Sequence, residues 1–301
     1  MVSAGDTDIK FILHRQLHDS STTYAPDILP ATAIPTSRCA ILNVEGISRE
    51  LGLFSLRGSA PHYNRNFMRA LPPLAAAAAA SSFMAWAVRG RSASVFGRSL
   101  WRGPRHRRAL ALTFDDGPAE STPDILEILS AHQVPATFFQ CGANVDRLPH
   151  IAREVAARGH EIGNHSYSHP YLFLRSPHTI ELELRRTQET IESHTGFRPV
   201  WFRAPYGARW FGLGTAQRKL QLTGVMWSAI GYDWSRRADE VVERLAASAS
   251  NGAILCLHDG RELRRKPDVR ATVEAVRRLV PLLLDRGYKF ETVGRLLCPK
   301  T

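Results

Sequence analysis

The sequence predicts an α/β domain over residues 105–301, with a parallel sheet that helices cover from outside. Short apolar segments of strand length alternate in this region with longer amphipathic segments of helix length, which is the pattern of repeated βα units. Polar side chains also follow directly after several of the apolar segments, and sites in parallel α/β folds assemble at that end of the strands. Both observations are compatible with an open sheet or with one closed into a barrel.

Six apolar segments are predicted as strands, and turn and cap residues mark the helices between them. The strands are expected at 109–114, 136–139, 161–163, 200–202, 225–228 and 253–257. One helix is expected to start at residues 121–123, and others to cover 149–158, 177–194, 238–250 and 269–286. Pro123 stands in the first turn of its helix, and Gly159 and Gly196 end two others, as these residue types commonly do.

Charge and cysteine content narrow the class of function. The 301-residue chain has a formal net charge of +11, but its arginines are scattered and it carries no nucleic-acid-binding motif. A basic surface without a nucleic-acid partner is therefore predicted. The four cysteines form no CxxC pair, so neither a cysteine metal site nor a disulfide framework is expected. Cys141 and Cys256 lie in apolar runs and are predicted to be small core residues.

Residues 1–104 differ from the rest of the chain. Residues 1–66 lack sustained periodicity and are left unassigned, as a mostly disordered extension or an upstream extension of the reading frame. Residues 67–104 contain an uncharged, alanine-rich run at 71–88, which predicts a membrane anchor or an export signal, with a soluble helix as the alternative. The protein is accordingly expected to be membrane-anchored or exported, with a cytoplasmic location as the alternative. Residues 105–301 are expected to fold and act as one domain on their own, and all five polar segments considered below lie within it.

Two adjacent acids end the first predicted strand. Asp115 and Asp116 precede Gly117 and Pro118, which turn the chain. Neighbouring strand residues point to opposite faces, but at the end of a strand both carboxylates can reach one cavity. One of them then suits metal binding while the other stays available as a base. A solvated turn is the alternative for an isolated motif of this kind.

Two histidines, His165 and His169, are spaced four residues apart. This spacing places both on one face of a helical turn, where they can bind one divalent metal. The motif occurs often by chance and gains specificity from a third ligand such as Asp116. Two imidazoles and one carboxylate leave open positions for water and substrate, which is the arrangement of catalytic zinc.

Three further polar groups follow predicted strands, at residues 203–207, 233–234 and 258–259. Arg203 is placed to hold a carboxylate in a bidentate pair. The turn at Pro205 and Tyr206 can direct a backbone N–H into a cavity as an oxyanion donor. His258 is a candidate general acid. Taken singly, each group has a structural alternative as an ordinary turn, a surface arginine or a structural histidine.

Together and in this order, the five segments resemble the polysaccharide deacetylase family, the NodB-homology carbohydrate esterases. The sequences TFDDGP at 113–118 and HSYSH at 165–169 carry most of the resemblance, which covers roughly residues 107–297. Family members fold as a distorted (β/α) barrel, usually with fewer than eight strands. The resemblance implies a metal-dependent hydrolase that removes N-acetyl groups from a polysaccharide or oligosaccharide, such as a chitin-like glycan or the glycan of peptidoglycan.

The resemblance also implies a role for each polar residue. Asp115 would be the general base, oriented by Arg203, and a divalent metal, most suitably Zn²⁺, would be held by Asp116, His165 and His169.

His258 would be the general acid, with Asp233 fixing its tautomer, and the backbone N–H of Tyr206 would help to hold the oxyanion. The substrate side of the site would be formed by Pro205, Tyr206, Trp234 and Cys256. The chain departs from the family pattern at Cys256, where leucine is common, and at Ile230, where an acid is common. Two alternatives stay open: a non-catalytic carbohydrate-binding relative, and an amidase of the same fold that acts on a small non-sugar amide.

Overall fold

A curled parallel sheet forms the centre of the protein in the computed structural model, which describes residues 73–298. The predicted disordered extension at 1–66 lies outside the described residues. The strands are β1 (Ser99–Leu100), β2 (Ala109–Gly117), β3 (Thr137–Gln140), β4 (Glu161–Asn164), β5 (Trp201–Phe202), β6 (Thr223–Val225), β7 (Ala229–Ile230), β8 (Ile254–His258) and β9 (Lys289–Phe290). Their order in the sheet is β1-β6-β5-β4-β3-β2-β8-β7, and β9 pairs with the start of β2.

The helices flank this sheet, as the distorted (β/α) barrel prediction requires. They are α1 (Pro73–Arg89), α2 (Thr122–Ala131), α3 (Gly142–Arg147), α4 (Pro149–Ala157), α5 (Pro177–Thr195), α6 (Leu213–Leu220), α7 (Ala238–Ser248), α8 (Arg270–Asp285) and α9 (Val293–Leu297). In α5, the side chain of Ser176 accepts the amide hydrogen of Thr179, and Gly196 ends the helix at a φ of 74°. Both ends thus use residue types that satisfy the free backbone groups of a helix.

The alternation of side chains along β2 separates two layers of the core. The even-numbered residues from Leu110 to Phe114 pack in one cluster with apolar residues of α2, α7 and α8. Ala109 and Ala111 belong to a second cluster on the opposite face, together with residues of α9. Burial of each large apolar side chain contributes about 1.5–3 kcal/mol. Asp115 continues the odd-numbered series, so its carboxylate points away from the face that α2, α7 and α8 cover.

Residues just before the predicted domain boundary at 105 belong to the sheet. β1 pairs with β6, and Arg102 forms an isolated antiparallel bridge with Ala253, beside β8. The carbonyl of Trp101 accepts a hydrogen bond from Ser228 Oγ at 2.9 Å. Residues 99–102 therefore connect the β6 side of the sheet to the β7–β8 side. The prediction missed this strand because its residues pair through backbone groups and show no hydrophobic periodicity.

Helix α1 contains most of the alanine-rich run. Its C-terminal end packs on the rest of the domain. Ala87 and Val88 are buried together with Phe96 and Ala208. The buried guanidinium of Arg209 donates to the Val88 carbonyl at 3.3 Å. Within residues 73–298, no helix is long and apolar enough to cross a membrane. The anchor or export signal at 71–88 stays a prediction, and the first two residues of that run lie outside the described part.

Candidate active site

Asp115 and Asp116 reach one cleft from adjacent positions near the end of β2. Both line a cavity of about 1140 Å³. Asp115 arrives there by strand alternation, whereas Asp116 has a left-handed backbone conformation with a φ of 74°. Such a conformation is strained in a residue other than glycine and clusters at functional sites. This conformation allows the carboxylates of two neighbouring residues to face a single cleft.

Arg203 holds the Asp115 carboxylate from below the cleft floor. Its Nη1 lies 2.6 Å from Asp115 Oδ1 and also donates to Thr113 Oγ1 at 2.8 Å. The guanidinium is fully buried, and its Nε and Nη2 donate to the carbonyls of Val225 and Met226. The contact uses one carboxylate oxygen, so the predicted bidentate pair is wrong. Two further donors of Arg203 bind backbone carbonyls, which restricts the position of the guanidinium.

Cys256 lies beneath this ion pair rather than on the wall of the cleft. Its Sγ is 3.5 Å from Asp115 Oδ2 and 3.6 Å from Arg203 Nη1, and the side chain is fully buried. Burial and the nearby Asp115 carboxylate raise the pKa of the thiol well above its usual value. The prediction of a buried core cysteine is confirmed, but the prediction that it contacts substrate is wrong. Strand alternation puts residue 256 on the same inward face as the ion pair, one layer below the surface.

The segment that carries His165 and His169 is irregular, and the predicted helical turn is wrong. Ser166 and His169 have positive φ values of 64° and 53°, which bring the two imidazoles toward the same carboxylate. Glu183, on α5, fixes the segment because its carboxylate accepts the amide hydrogens of Tyr167 and Ser168 at 2.9 and 2.8 Å. The two histidines, four residues apart, are therefore brought together by a loop that is anchored to α5, and not by a helical turn.

The three side chains Asp116, His165 and His169 fit a divalent metal. Nε2 of His165 and Nε2 of His169 lie 3.3 and 3.0 Å from Asp116 Oδ1, a buried oxygen that has no hydrogen-bond partner in the described region. Nδ1 of His165 is 2.8 Å from the Arg203 carbonyl, which only accepts, so Nδ1 carries the proton and Nε2 presents a lone pair. A lone pair that faces a carboxylate oxygen is repelled unless a cation lies between them. Two nitrogens and one oxygen are ligands that zinc accepts.

Asp116 is ionised even without a metal. Burial by itself would raise the pKa of Asp116, but hydrogen bonds from His165 and His169, when Nε2 carries a proton in place of a metal, hold that pKa well below its usual value. The carboxylate is therefore ionised at neutral pH, as a metal ligand must be.

Residues that the sequence did not indicate position Asp116. Its Oδ2 accepts the backbone N–H of Glu262 at 2.9 Å. The side-chain amide of Asn144, at the start of α3, donates to the carbonyls of Asp116 and Glu262, each at 2.8 Å. These contacts tie the loop after β8 to the end of β2. No sequence signal points to Asn144, since it lies 28 residues from Asp116 in an unremarkable helical turn.

His258 and Asp233 form a second hydrogen-bonded pair across the cleft floor. Nδ1 of His258 lies 2.9 Å from Asp233 Oδ1, while Oδ2 accepts from the His258 backbone N–H and from Thr272 Oγ1 at 2.9 and 2.6 Å. Burial would lower the pKa of His258, but the Asp233 carboxylate outweighs it and raises the pKa to about 9. His258 is therefore protonated at neutral pH and can act as a proton donor.

The rim of the cleft combines aromatic rings with polar groups. Tyr206 lines the cleft at a φ of 56°, and its hydroxyl donates to Glu262 at 2.8 Å. The ring of Trp234 packs edge-on against His258, with centroids 4.9 Å apart, and is 48% exposed. Pro205 is buried and shapes the turn beneath Tyr206 rather than lining the cleft. Of the four predicted substrate contacts, Tyr206 and Trp234 are thus the two that face the cleft.

Comparison with known proteins relates both the sequence and the fold to enzymes of one kind. Residues 102–225 match the model of the family described as polysaccharide deacetylase. The chain is 37% identical over 198 residues to a chitooligosaccharide deacetylase of Bradyrhizobium sp. (strain ANU 289), an alignment that covers 63% of this chain and 90% of that protein.

Solved structures show the same relationship. A crystal structure of the peptidoglycan N-acetylglucosamine deacetylase Bc1960 superposes with a TM-score of 0.63 and 31% identity, over 66% of this chain and 92% of that chain. A CE4 family pseudoenzyme from Bacillus anthracis, BA3943, superposes with a TM-score of 0.61 and 29% identity, over 66% and 68% of the two chains. The fold thus occurs in enzymes and in a pseudoenzyme, so the side chains in the cleft matter for function.

Proposed function

Because the chain belongs to the polysaccharide deacetylase family of enzymes, we propose that it hydrolyses the N-acetyl groups of an N-acetylated glycan. One observation carries the proposal: a candidate metal site, a carboxylate held by an arginine and a protonated histidine share one cleft. These are the groups that amide hydrolysis needs, namely an electrophile, a base and an acid. Chitin-like glycans and the glycan of peptidoglycan are the substrates that the family relationship favours.

The metal would be a divalent ion held by Asp116, His165 and His169, with Zn²⁺ favoured by the ligand set. When bound, such an ion polarises the amide carbonyl and lowers the pKa of water.

The residues of the chain perform the proton transfers. Asp115, positioned by Arg203, accepts a proton from the water that attacks the amide carbon. The backbone N–H of Tyr206 donates a hydrogen bond to the oxygen on which negative charge develops. His258 delivers its proton to the amide nitrogen as the carbon–nitrogen bond breaks, so that acetate and a free amino sugar leave. The acid and the base typically contribute about 10²- to 10⁴-fold each.

The arrangement argues against the two alternatives. A binding module has no need for a carboxylate that a buried arginine orients or for a histidine whose pKa is raised to about 9. A small amide does not need a cleft of about 1140 Å³, which exceeds the usual range for small-molecule sites. An extended oligosaccharide would fill a cleft of this volume more completely than a small amide.

Acetate release is the decisive assay. The full chain is incubated with chitohexaose, peptidoglycan fragments and acetamide-type small amides, with and without a chelator. We expect chelator-sensitive acetate release from at least one of the two glycans. The Asp115→Asn variant is expected to lose most activity while its metal content stays unchanged. Acetate release from the small amides alone would contradict the proposed substrate class, and full turnover by Asp115→Asn would contradict the role of the base.

A further inference from the structure

The lining of the cleft contains six arginines, more than any other residue type there. They come from the end of α1, from the segment between β7 and α7, and from the segment between β8 and the first residue of α8. The members of this arginine wall are Arg89, Arg236, Arg237, Arg261, Arg264 and Arg270.

Four of these arginines are not neutralised by acids in the part of the chain that the structure describes. Arg89 and Arg264 are exposed, and their side chains make no hydrogen bond or ion pair within residues 73–298. Arg236 and Arg237 are also exposed and share one acidic partner, Glu240, at the long distances of 3.7 and 4.0 Å. Guanidinium groups in this state leave most of their donors available to a ligand.

Fewer acids than arginines line the same cleft, and most of these acids are engaged. Asp115 is paired with Arg203 and Asp233 with His258, Asp116 lies at the candidate metal site, and Glu262 accepts the hydroxyl of Tyr206 but keeps its negative charge. Asp268, beside Arg270, binds that arginine at 2.7 Å. The charge that the cleft presents to a ligand beyond the reacting centre is therefore positive.

Aromatic rings lie between the arginine wall and the reacting centre. Tyr232 and Trp234 are 37% and 48% exposed, and their centroids are 5.3 Å apart. Exposed aromatic rings of this kind can stack on the apolar face of a sugar ring. A sugar stacked here places its substituents within the same cleft as Arg236, whose guanidinium lies 5.8 Å from the Tyr232 ring.

We propose that the arginine wall makes the enzyme select N-acetylated glycans that carry carboxylate groups next to the sugar that loses its acetyl group. Arginine binds carboxylates through paired hydrogen bonds, and a cleft lined by one sign of charge concentrates ligands of the opposite sign. Carboxylates of this kind come from two sources, lactyl ether groups on the amino sugar or alternating uronic acids. This inference rests on the proposed deacetylase function and specifies its substrate class.

The test compares three oligosaccharides of similar length as substrates and as ligands. Chitohexaose is neutral, a peptidoglycan glycan strand carries lactyl carboxylates, and a hyaluronan hexasaccharide carries glucuronate. We measure kcat/KM for acetate release by the wild type at low and high NaCl, and Kd for binding to the Asp115→Asn variant. At least one anionic glycan is expected to be preferred over chitohexaose by about 3- to 10-fold, with the preference reduced by salt. Which anionic glycan is preferred identifies the source of the carboxylate.

Matched double variants test whether the arginine wall causes the preference. Arg236→Gln with Arg264→Gln is expected to bring the anionic-to-neutral ratios of kcat/KM and Kd close to one. Arg153→Gln with Arg175→Gln removes two exposed arginines that do not line the cleft, and is expected to keep the wild-type ratios. The inference is overturned if the protein with its arginine wall intact binds both anionic glycans no more tightly than chitohexaose. It is also overturned if the preference for anionic glycans persists in the Arg236→Gln, Arg264→Gln double variant. Preferential binding without any acetate release overturns the proposed function and leaves the binding preference established.

Discussion

Nδ1 of His258 lies 2.9 Å from Oδ1 of Asp233, and the second oxygen of that carboxylate accepts the backbone N–H of the same histidine. One carboxylate thus fixes both the ring and the main chain of the proposed acid. Because Oδ1 can only accept, Nδ1 carries a proton, and Nε2 is the atom that exchanges a proton with substrate. This contact is the main cause that raises the pKa to about 9, and the nearby carboxylates of Asp116 and Asp115 add to it.

Replacement of Asp233 by asparagine should move the alkaline limit of activity. The reaction needs protonated His258, so kcat/KM falls as pH rises through the pKa of that group. Without the carboxylate, this pKa drops from about 9 toward the ordinary value of 6.5. A bound cation lowers the limit in both proteins, so the difference between the two pH profiles is the quantity to measure. Asp239→Asn, on the outer helix α7, is the control, and identical profiles for Asp233→Asn and wild type would show that Asp233 does not set the pKa.

Loss of either histidine ligand should remove metal and activity together. We expect His165→Ala and His169→Ala each to weaken metal binding by more than the roughly 10- to 100-fold that loss of an outer partner costs. Metal content after dialysis and acetate release are measured on the same samples. His178→Ala, an exposed position in α5, is the control. A ligand variant that keeps a full complement of tightly bound metal would place the site elsewhere.

Asn144 should matter for the metal although it is not a ligand. Asn144→Ala removes the two hydrogen bonds that connect the main chain of Asp116 to that of Glu262. We expect roughly 10- to 100-fold weaker metal binding, measured by competition with a chelating dye. Asn251→Ala is the matched control, because its amide also donates to a backbone carbonyl, that of Arg105 at 2.9 Å, away from the cleft. Equal metal affinities of the two variants would show that Asn144 does not contribute to metal binding.

The start of the catalytic domain is tested by two truncated chains. A chain that begins at residue 73 keeps α1 and β1, whereas a chain that begins at residue 105 loses β1, the Arg102 bridge and the partners of Arg209. We expect the shorter chain to unfold at a temperature lower by about 5 °C or more, since ~1 kcal/mol corresponds to roughly 2–4 °C for a domain of this size. Thermal unfolding is followed by circular dichroism. Equal melting temperatures would support the domain boundary predicted at residue 105.

The positions of most strands and helices followed from local pattern, because apolar periodicity and turn residues act over a few neighbouring residues. Of the predicted strand at 225–228, only Val225 lies in a strand, at the end of β6. Residues 226–228 connect β6 to β7, where the chain crosses from one part of the sheet to the other. The pairing of β1 with β6 was not predictable, since a two-residue strand carries no periodic signal. Its place depends on partners more than 100 residues away in the chain.

By itself, the sequence determined that this is an α/β domain, which residue types bring the chemistry, and which family the five segments resemble. Only the tertiary structure decided how those residues meet. The left-handed φ at Asp116, the single-oxygen contact between Arg203 and Asp115, and the burial of Cys256 beneath that pair depend on chain segments that are far apart in sequence. The arginine wall has the same origin, because the scattered positive charges of the sequence line one cleft only when α1 and the loops after β7 and β8 are packed together. Local pattern encodes which elements form, whereas the electrostatics of a site depend on distances that packing alone sets.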